Sequence, residues 1–292
     1  MSPPPDTLSD TSPLRAPWGI VPLASGEPVR RNIGPRELWL RFVQGEIRLA
    51  DCIVADPGSS GDEGAPPEDS RAWSRWAIPT PGTESTTRGA AESNARPPSV
   101  VLRPSLPDRP LIVQPEVPFS LLPRAEARVF IRVPLRIRVE VDLPATPAPT
   151  LLRTLPTLEL SDTWWGGFLD GEPCSWLPTT ARRQVTDDLL EPHLVICPMV
   201  LVNQSRSDLR VEKLCLRVEH LSLYADRQGF WADESRVRYH GDAEGSQIDM
   251  SGHPPEEAQS PVRISAPPAP VRGIRAMTFG RWLGKSSATG SP

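Results

Sequence analysis

The sequence predicts an all-β protein: an antiparallel β-sandwich-like module carrying long proline-rich disordered insertions, with a distorted, partly closed barrel as the alternative closure. Three observations lead there. Apolar residues occupy every second position from 129 to 143, the period of a strand with one buried face. Short β-rich runs then follow one another with turn residues between them, as in sandwiches and barrels. Finally, 37 of the 292 residues are proline, against ordinary usage of about 5%. Helix interiors and central strands exclude most proline, so much of the chain must be edge, turn and loop.

In chain order, residues 1–15 are polar and proline-rich, the composition of a disordered N-terminus. Residues 16–55 hold N-terminal strands at 18–23, 37–43 and 46–55, with Gln44-Gly45 as a tight hairpin turn. Residues 56–97 form a low-complexity Pro/Gly/Ser/Glu insertion around a single strand at 73–78. The main β module runs from 98 to 250, and 251–292 is a proline-rich tail in which 273–283 can dock as a last strand.

Within the main module, short strands at 99–103 and 111–114 lie between prolines. The run 127–143 places Val129, Ile131, Val133, Leu135, Ile137, Val139, Val141 and Leu143 on one face, against Arg128, Arg132, Arg136, Arg138 and Glu140 on the other. At about 3.3 Å per residue it would span roughly 50 Å, longer than a normal strand. Pro134 is therefore read as an edge position or as a bend between sheets. Strands at 163–169 and 172–177 flank Asp170-Gly171, a strong hairpin signal. A two-residue turn there sets Leu169 opposite Glu172 and Trp165 opposite Trp176. Residues 179–190 are the only helix candidate. Residues 194–202 read as a buried central strand, returning through 203–208 as a hairpin. Its second arm changes parity between Leu209/Val211 and Leu214/Leu216/Val218, which calls for a β-bulge near Glu212 and Lys213. Strands at 230–231, 236–240 and 247–250 complete the set.

Several function classes are disfavoured. A formal charge of −4 argues against bulk electrostatic binding to nucleic acid or anionic membrane, and no stretch reaches the roughly 18 apolar residues of a membrane span. The start, MSPPPDTLSD, lacks the basic and apolar regions of a secretory signal, so a cytoplasmic protein is expected. Cys52, Cys174, Cys197 and Cys215 include no CxxC pair, and the four histidines are dispersed, so neither a metal site nor a cofactor is expected. Cys197 and Cys215 fall near each other across the expected 194–218 hairpin, as small buried thiols in a reducing compartment. His220, beside Glu219, is read as structural. No nucleophile elbow, phosphate loop or metal-ligand motif marks a catalytic residue.

Four residues stand as candidate ligand contacts. Trp165 and Trp176 are cross-strand packing partners or a flat platform for a sugar ring. Arg182 and Arg183 are a solvated helix face or an anion fork. Arg132, Arg136 and Arg138 form a basic stripe open to an acidic partner. The resulting expectation is a non-enzymatic β-sandwich protein of unknown activity that engages a protein partner or a second copy of itself. A carbohydrate-type small-ligand module using the Trp/Arg surface is the alternative, and a hydrolase with an unrecognised site the second.

Between residues 161 and 250 lie Thr163-Trp164-Trp165-Gly166, Gly171-Glu172-Pro173-Cys174, Thr180-Ala181-Arg182-Arg183, Cys197-Pro198, Leu214-Cys215-Leu216-Arg217-Val218 and His220-Leu221-Ser222-Leu223-Tyr224. Their order and spacing resemble the uncharacterised prokaryotic family called domain of unknown function 432. The resemblance implies one ordered β module in a prokaryotic cytoplasm. It supplies no activity and no catalytic residue.

Overall fold

A computed structural model of the chain describes residues 14–54, 72–78, 99–143, 148–167, 169, 171–186, 190–241, 245–267, 274–276 and 279–280. The N-terminal stretch 1–13 and most of the 56–97 insertion lie outside the described residues. Strands run as β1 (Gly19–Val21), β2 (Val29–Ile33), β3 (Arg36–Val43), β4 (Glu46–Ile53), β5 (Ser74–Ala77), β6 (Ser99–Ser105), β7 (Leu111–Pro115) and β8 (Phe119–Leu121). They continue as β9 (Glu126–Pro134), β10 (Arg136–Asp142), β11 (Thr150–Pro156), β12 (Ser161–Trp165), β13 (Glu172–Ala181), β14 (Leu194–Asn203), β15 (Leu209–Val211) and β16 (Lys213–Leu216). The last are β17 (Leu223–Ala225), β18 (Phe230–Ala232), β19 (Ser235–Gly241), β20 (Gly245–Met250), β21 (Val262–Ser265), β22 (Ile274–Ala276) and β23 (Phe279–Gly280). No α-helix occurs among the described residues.

The all-β, mainly antiparallel class holds, in curled sheets of which one approaches a half-barrel. One sheet has the order β1-β6-β10-β11, a second β12-β13-β7-β16-β23, and a third β21-β17-β18-β14-β19-β20-β22 with β9 on the far side of β14. A smaller sheet, β2-β3-β4-β5, comes from the N-terminal strands. Its β3–β4 turn is the expected one, with Gln44 at φ 53° and Gly45 at φ 76°, the left-handed pair that a two-residue hairpin of matching twist needs.

The alternating run divides where its length demanded. β9 pairs with β14 in the third sheet, whereas β10 lies between β6 and β11 in the first. The change falls at Pro134 and Leu135. Val129, Ile131, Val133, Leu135, Ile137, Val139 and Val141 are all buried to 1% exposure or less, so a single apolar face serves two sheets.

β14 is the central strand expected, but it has no hairpin partner. β9 lies on one side of it, and β18 followed by β19 run parallel to it on the other. The parallel ladders stop at Ile196 and resume at Met199, so Pro198 occupies the gap, where its missing N–H costs no ladder bond. Asn203 explains why the chain does not double back. Its buried amide donates to the carbonyls of Leu121 and Ser207, both at 2.8 Å, and accepts from the amide and hydroxyl of Ser205. This network steers 204–208 off the sheet, and β15 then pairs with β8, β16 with β7. The parity change near Glu212 is present as a break between β15 and β16, which moves the chain from one ladder to another.

The helix expected at 179–190 is absent over its described residues. Thr179 and Thr180 are β-branched and extend β13 to Ala181, and Arg182 then bridges Phe130 through two backbone hydrogen bonds. In the stretch read as a tail, β21 pairs with β17, and β22 and β23 edge two different sheets.

One continuous core takes Leu38, Leu40, Ile47 and Leu49 from the N-terminal strands together with Val100, Ile131, Val139, Leu201 and Leu214. Polar contacts reinforce the junction. Buried Arg36 donates to the carbonyl of Pro156 at 2.8 Å and to the carboxylates of Asp51 at 2.5 Å and Glu159 at 2.6 Å. Gly34, at φ 59°, lies against the His193 ring, which a Cβ would overlap at 2.3 Å.

Neighbours on β10 should therefore respond oppositely to truncation. Ile137→Ala is expected to lose about 2–5 kcal/mol in urea unfolding, as for a buried aliphatic side chain. Arg138→Ala should lose no more than about 1 kcal/mol, the range of exposed ion pairs, because Glu140 keeps Arg103.

Candidate functional site

The β12–β13 hairpin carries both candidate tryptophans in a register different from the one expected. Trp165 faces Glu172, and Trp176 faces Ser161. The loop is longer than a two-residue turn, because the amide of Gly171 donates to the carbonyl of Gly167 at 2.9 Å. The Trp164 indole donates to the same carbonyl at 2.9 Å and lies against Gly171, where a Cβ would come within 2.1 Å of its nitrogen. With Trp165 opposite Glu172 the loop spans more than two residues, and Asp170 itself lies outside the described residues.

Although not opposite each other, Trp165 and Trp176 share one face of the second sheet. Trp165, Ile112, Cys174 and Cys215 form a buried cluster, and half-buried Trp176 packs against it. Lys213 closes the other side, its Nζ 5.3 Å from the Trp176 ring centroid. Trp165 is only 6% exposed, so it has no open ring face and belongs to the packing.

Beneath this cover two thiols interact. Cys174 and Cys215, on strands separated by β7, are 0% and 1% exposed and are both free. The hydrogen bond from Cys215 lowers the pKa of Cys174, while the same bond together with burial raises that of Cys215. Cys174 is therefore the more acidic member of the pair. Cys197 is not its neighbour across a hairpin: it lies in the main core on β14, where burial raises its pKa.

A charged group borders the thiols. Arg217 engages Glu172 through both Nη groups, with Nη1 2.9 Å from Oε2. Glu219 lies 3.8 Å from Arg217 and 3.6 Å from His220. Burial raises the pKa of Glu219 even with the Arg217 guanidinium beside it, and its Oε2 is buried with no hydrogen-bond partner among the described residues. Trp165, Glu172, Cys174, Cys215, Arg217 and His220, all within the segments that carry the family resemblance, therefore meet in one place. The period-2 spacing of 172 and 174 puts both on one face of β13, whereas Arg217 and Glu219 follow the end of β16 and are brought in by a short 3-10 turn, Val218–His220. What the sequence could not show is that the two strands flank β7.

Arg182 and Arg183 lie away from this group. Half-buried Arg182 bridges Phe130, and exposed Arg183 stacks over Phe119 with its guanidinium 5.7 Å from the ring centroid. The structure brings the tryptophans together and leaves the two arginines at the other end of β13, beside different neighbours. Arg132 reaches Glu191 at 3.6 Å, Arg136 reaches Asp108 at 2.5 Å and Arg138 reaches Glu140 at 2.8 Å.

Among the described residues, no three His, Cys, Asp or Glu side chains gather as a metal site, and no helix is long and apolar enough to cross a membrane. Curled, mainly antiparallel sheets around one core, with a thiol pair sealed under tryptophan, define a β-sandwich-like protein. The chain belongs to the family described as protein of unknown function DUF432, whose model matches residues 17–280. No curated protein and no solved structure matches it.

Thiol labelling tests the cover. In the native protein only Cys52, which is exposed, should react within minutes with an aromatic disulfide reagent, the other three reacting after unfolding. Trp165→Ala should cost about 3–5 kcal/mol, as for a buried large aromatic, and should make Cys174 react before Cys197.

Proposed function

We propose that the protein is a non-enzymatic interaction module of the prokaryotic cytoplasm, whose partner is another protein presenting an extended apolar segment. The observation that supports this most is the β12–β13 hairpin. β12 ends its sheet and pairs with no second strand among the described residues, which offers an edge to which a partner strand can add. In the same hairpin Trp164 is 51% exposed and Leu169 94% exposed, two large apolar side chains open to solvent. Buried Trp165 anchors the hairpin from below, so the surface is held rigidly before it binds. Free thiols in contact at Cys174 and Cys215 fit a reducing compartment.

Site-specific photo-crosslinking tests the reading. A photoreactive side chain at position 169 should capture one defined protein in the native host, and the same side chain at Arg210, exposed on another edge, should not. Leu169→Asp should weaken the isolated complex at least about tenfold, or roughly 1.4 kcal/mol, with the melting temperature unchanged. Capture of the same set of proteins from both positions would defeat the proposal. A crosslink to the chain itself, with a sedimentation coefficient that falls in Leu169→Asp, would make the partner a second copy.

A further inference from the structure

The solvent face of the first sheet places two arginines directly opposite each other, Arg103 on β6 and Arg138 on β10. Like charges in that relation destabilise a sheet. Glu140, 5% exposed, offsets part of the repulsion by accepting from both: Arg103 Nε donates to Oε2 at 3.0 Å and Arg138 Nε to Oε1 at 2.8 Å. One carboxylate cannot neutralise two guanidiniums. Both bonds use Nε, so the Nη groups of both side chains, which are 46% and 44% exposed, have no acceptor among the described residues.

These donors line a cleft of about 400 Å³, within the ordinary range of small-molecule sites. Its floor is the β6–β10–β11 face, with the hydroxyls of Ser105 and Thr154, and a wall comes from Leu221 and Ile264. Arg136 stands at one end, its guanidinium engaged by Asp108. Three arginines against two carboxylates leave the cleft cationic. No aromatic side chain lines it, so a nucleobase would find nothing to stack on.

We propose that this cleft binds a small phosphate monoester with a polyol body, its phosphoryl group held jointly by Arg103 and Arg138. A planar carboxylate matches one guanidinium fork, whereas a phosphoryl group offers three oxygens and nearly two charges to a pair of forks. The polyol body takes the Ser105 and Thr154 hydroxyls, and the Leu221–Ile264 wall excludes water from one side. The site is separate from the β12–β13 hairpin and is independent of the interaction assigned to it.

Titration calorimetry of the full chain in phosphate-free buffer tests this with glucose 6-phosphate, inorganic phosphate, glucose and succinate. Glucose 6-phosphate should bind at least about tenfold more tightly than inorganic phosphate or succinate, and glucose should give no heat. At ten times its dissociation constant it should raise the melting temperature by about 2–4 °C. R103Q/R138Q should lose binding at least a hundredfold, and R210Q should bind as the parent does. Because the glutamine pair strands Glu140, R103K/R138K serves as a second variant that keeps both charges and removes the forks, and it should bind at least tenfold more weakly. No binding of glucose 6-phosphate, equal affinity for inorganic phosphate, or undiminished binding by the lysine pair would each overturn the proposal.

Discussion

The backbone of Leu135 is held by three hydrogen bonds from two distant stretches of chain. Its N–H donates to the carbonyl of His193, and its own carbonyl accepts both the amide and the hydroxyl of buried Thr157. Two separate stretches of chain, those before β14 and after β11, are thereby fixed to the one residue between β9 and β10. The first and third sheets cannot shift past each other without breaking these bonds, each of which is costly to leave unmade in the interior. The rest of the architecture follows: β9 and β10 can present one continuous apolar face only because the chain turns there without losing alternation. His193 extends the constraint, since its ring rests on Gly34 and so locates the N-terminal hairpins as well.

The two faces of the molecule carry charge in different ways. Around Cys174 and Cys215, Glu172 and Arg217 satisfy one another in a two-pronged pair, and the tryptophans exclude water from the thiols. On the first sheet, Glu140 is divided between Arg103 and Arg138 and leaves their outer nitrogens unspent. A paired guanidinium contributes to structure; an underpaired one, held rigidly by a strand, is prepared for an external anion. The number of acceptors per arginine distinguishes the two.

Much of the fold was legible in the sequence where period and local chemistry decide it. The alternation from 129 to 143, its bend at Pro134, the Gln44-Gly45 turn and the parity change at Glu212 are local facts. Strand partnership is not. Asn203 reads as the start of a polar turn, yet its amide bonds to Leu121, 82 residues away in the chain, and that contact parts β14 from the strands that follow it. Asp170-Gly171 has the composition of a tight turn, but Trp165 pairs with Glu172 across a longer loop, in which the Gly171 amide and the Trp164 indole both donate to the Gly167 carbonyl. Trp165 and Trp176 were recognisable as a pair on one face, whereas their register and the thiols beneath depended on β7 entering between β13 and β16. Arg138 was visible on the wet face; its apposition to Arg103 required the β6–β10 register.

Residues 274–280 have a double duty. β22 covers the outer edge of β20 while β23, three residues further on, covers that of β16. Two sheets therefore remain unfinished until the same short segment has been synthesised, and both present raw hydrogen-bonding edges in the meantime. Vectorial synthesis leaves a nascent chain of this topology with two sticky margins at once. Its yield in the cell should then depend on how well those margins are shielded until the segment that covers them has emerged.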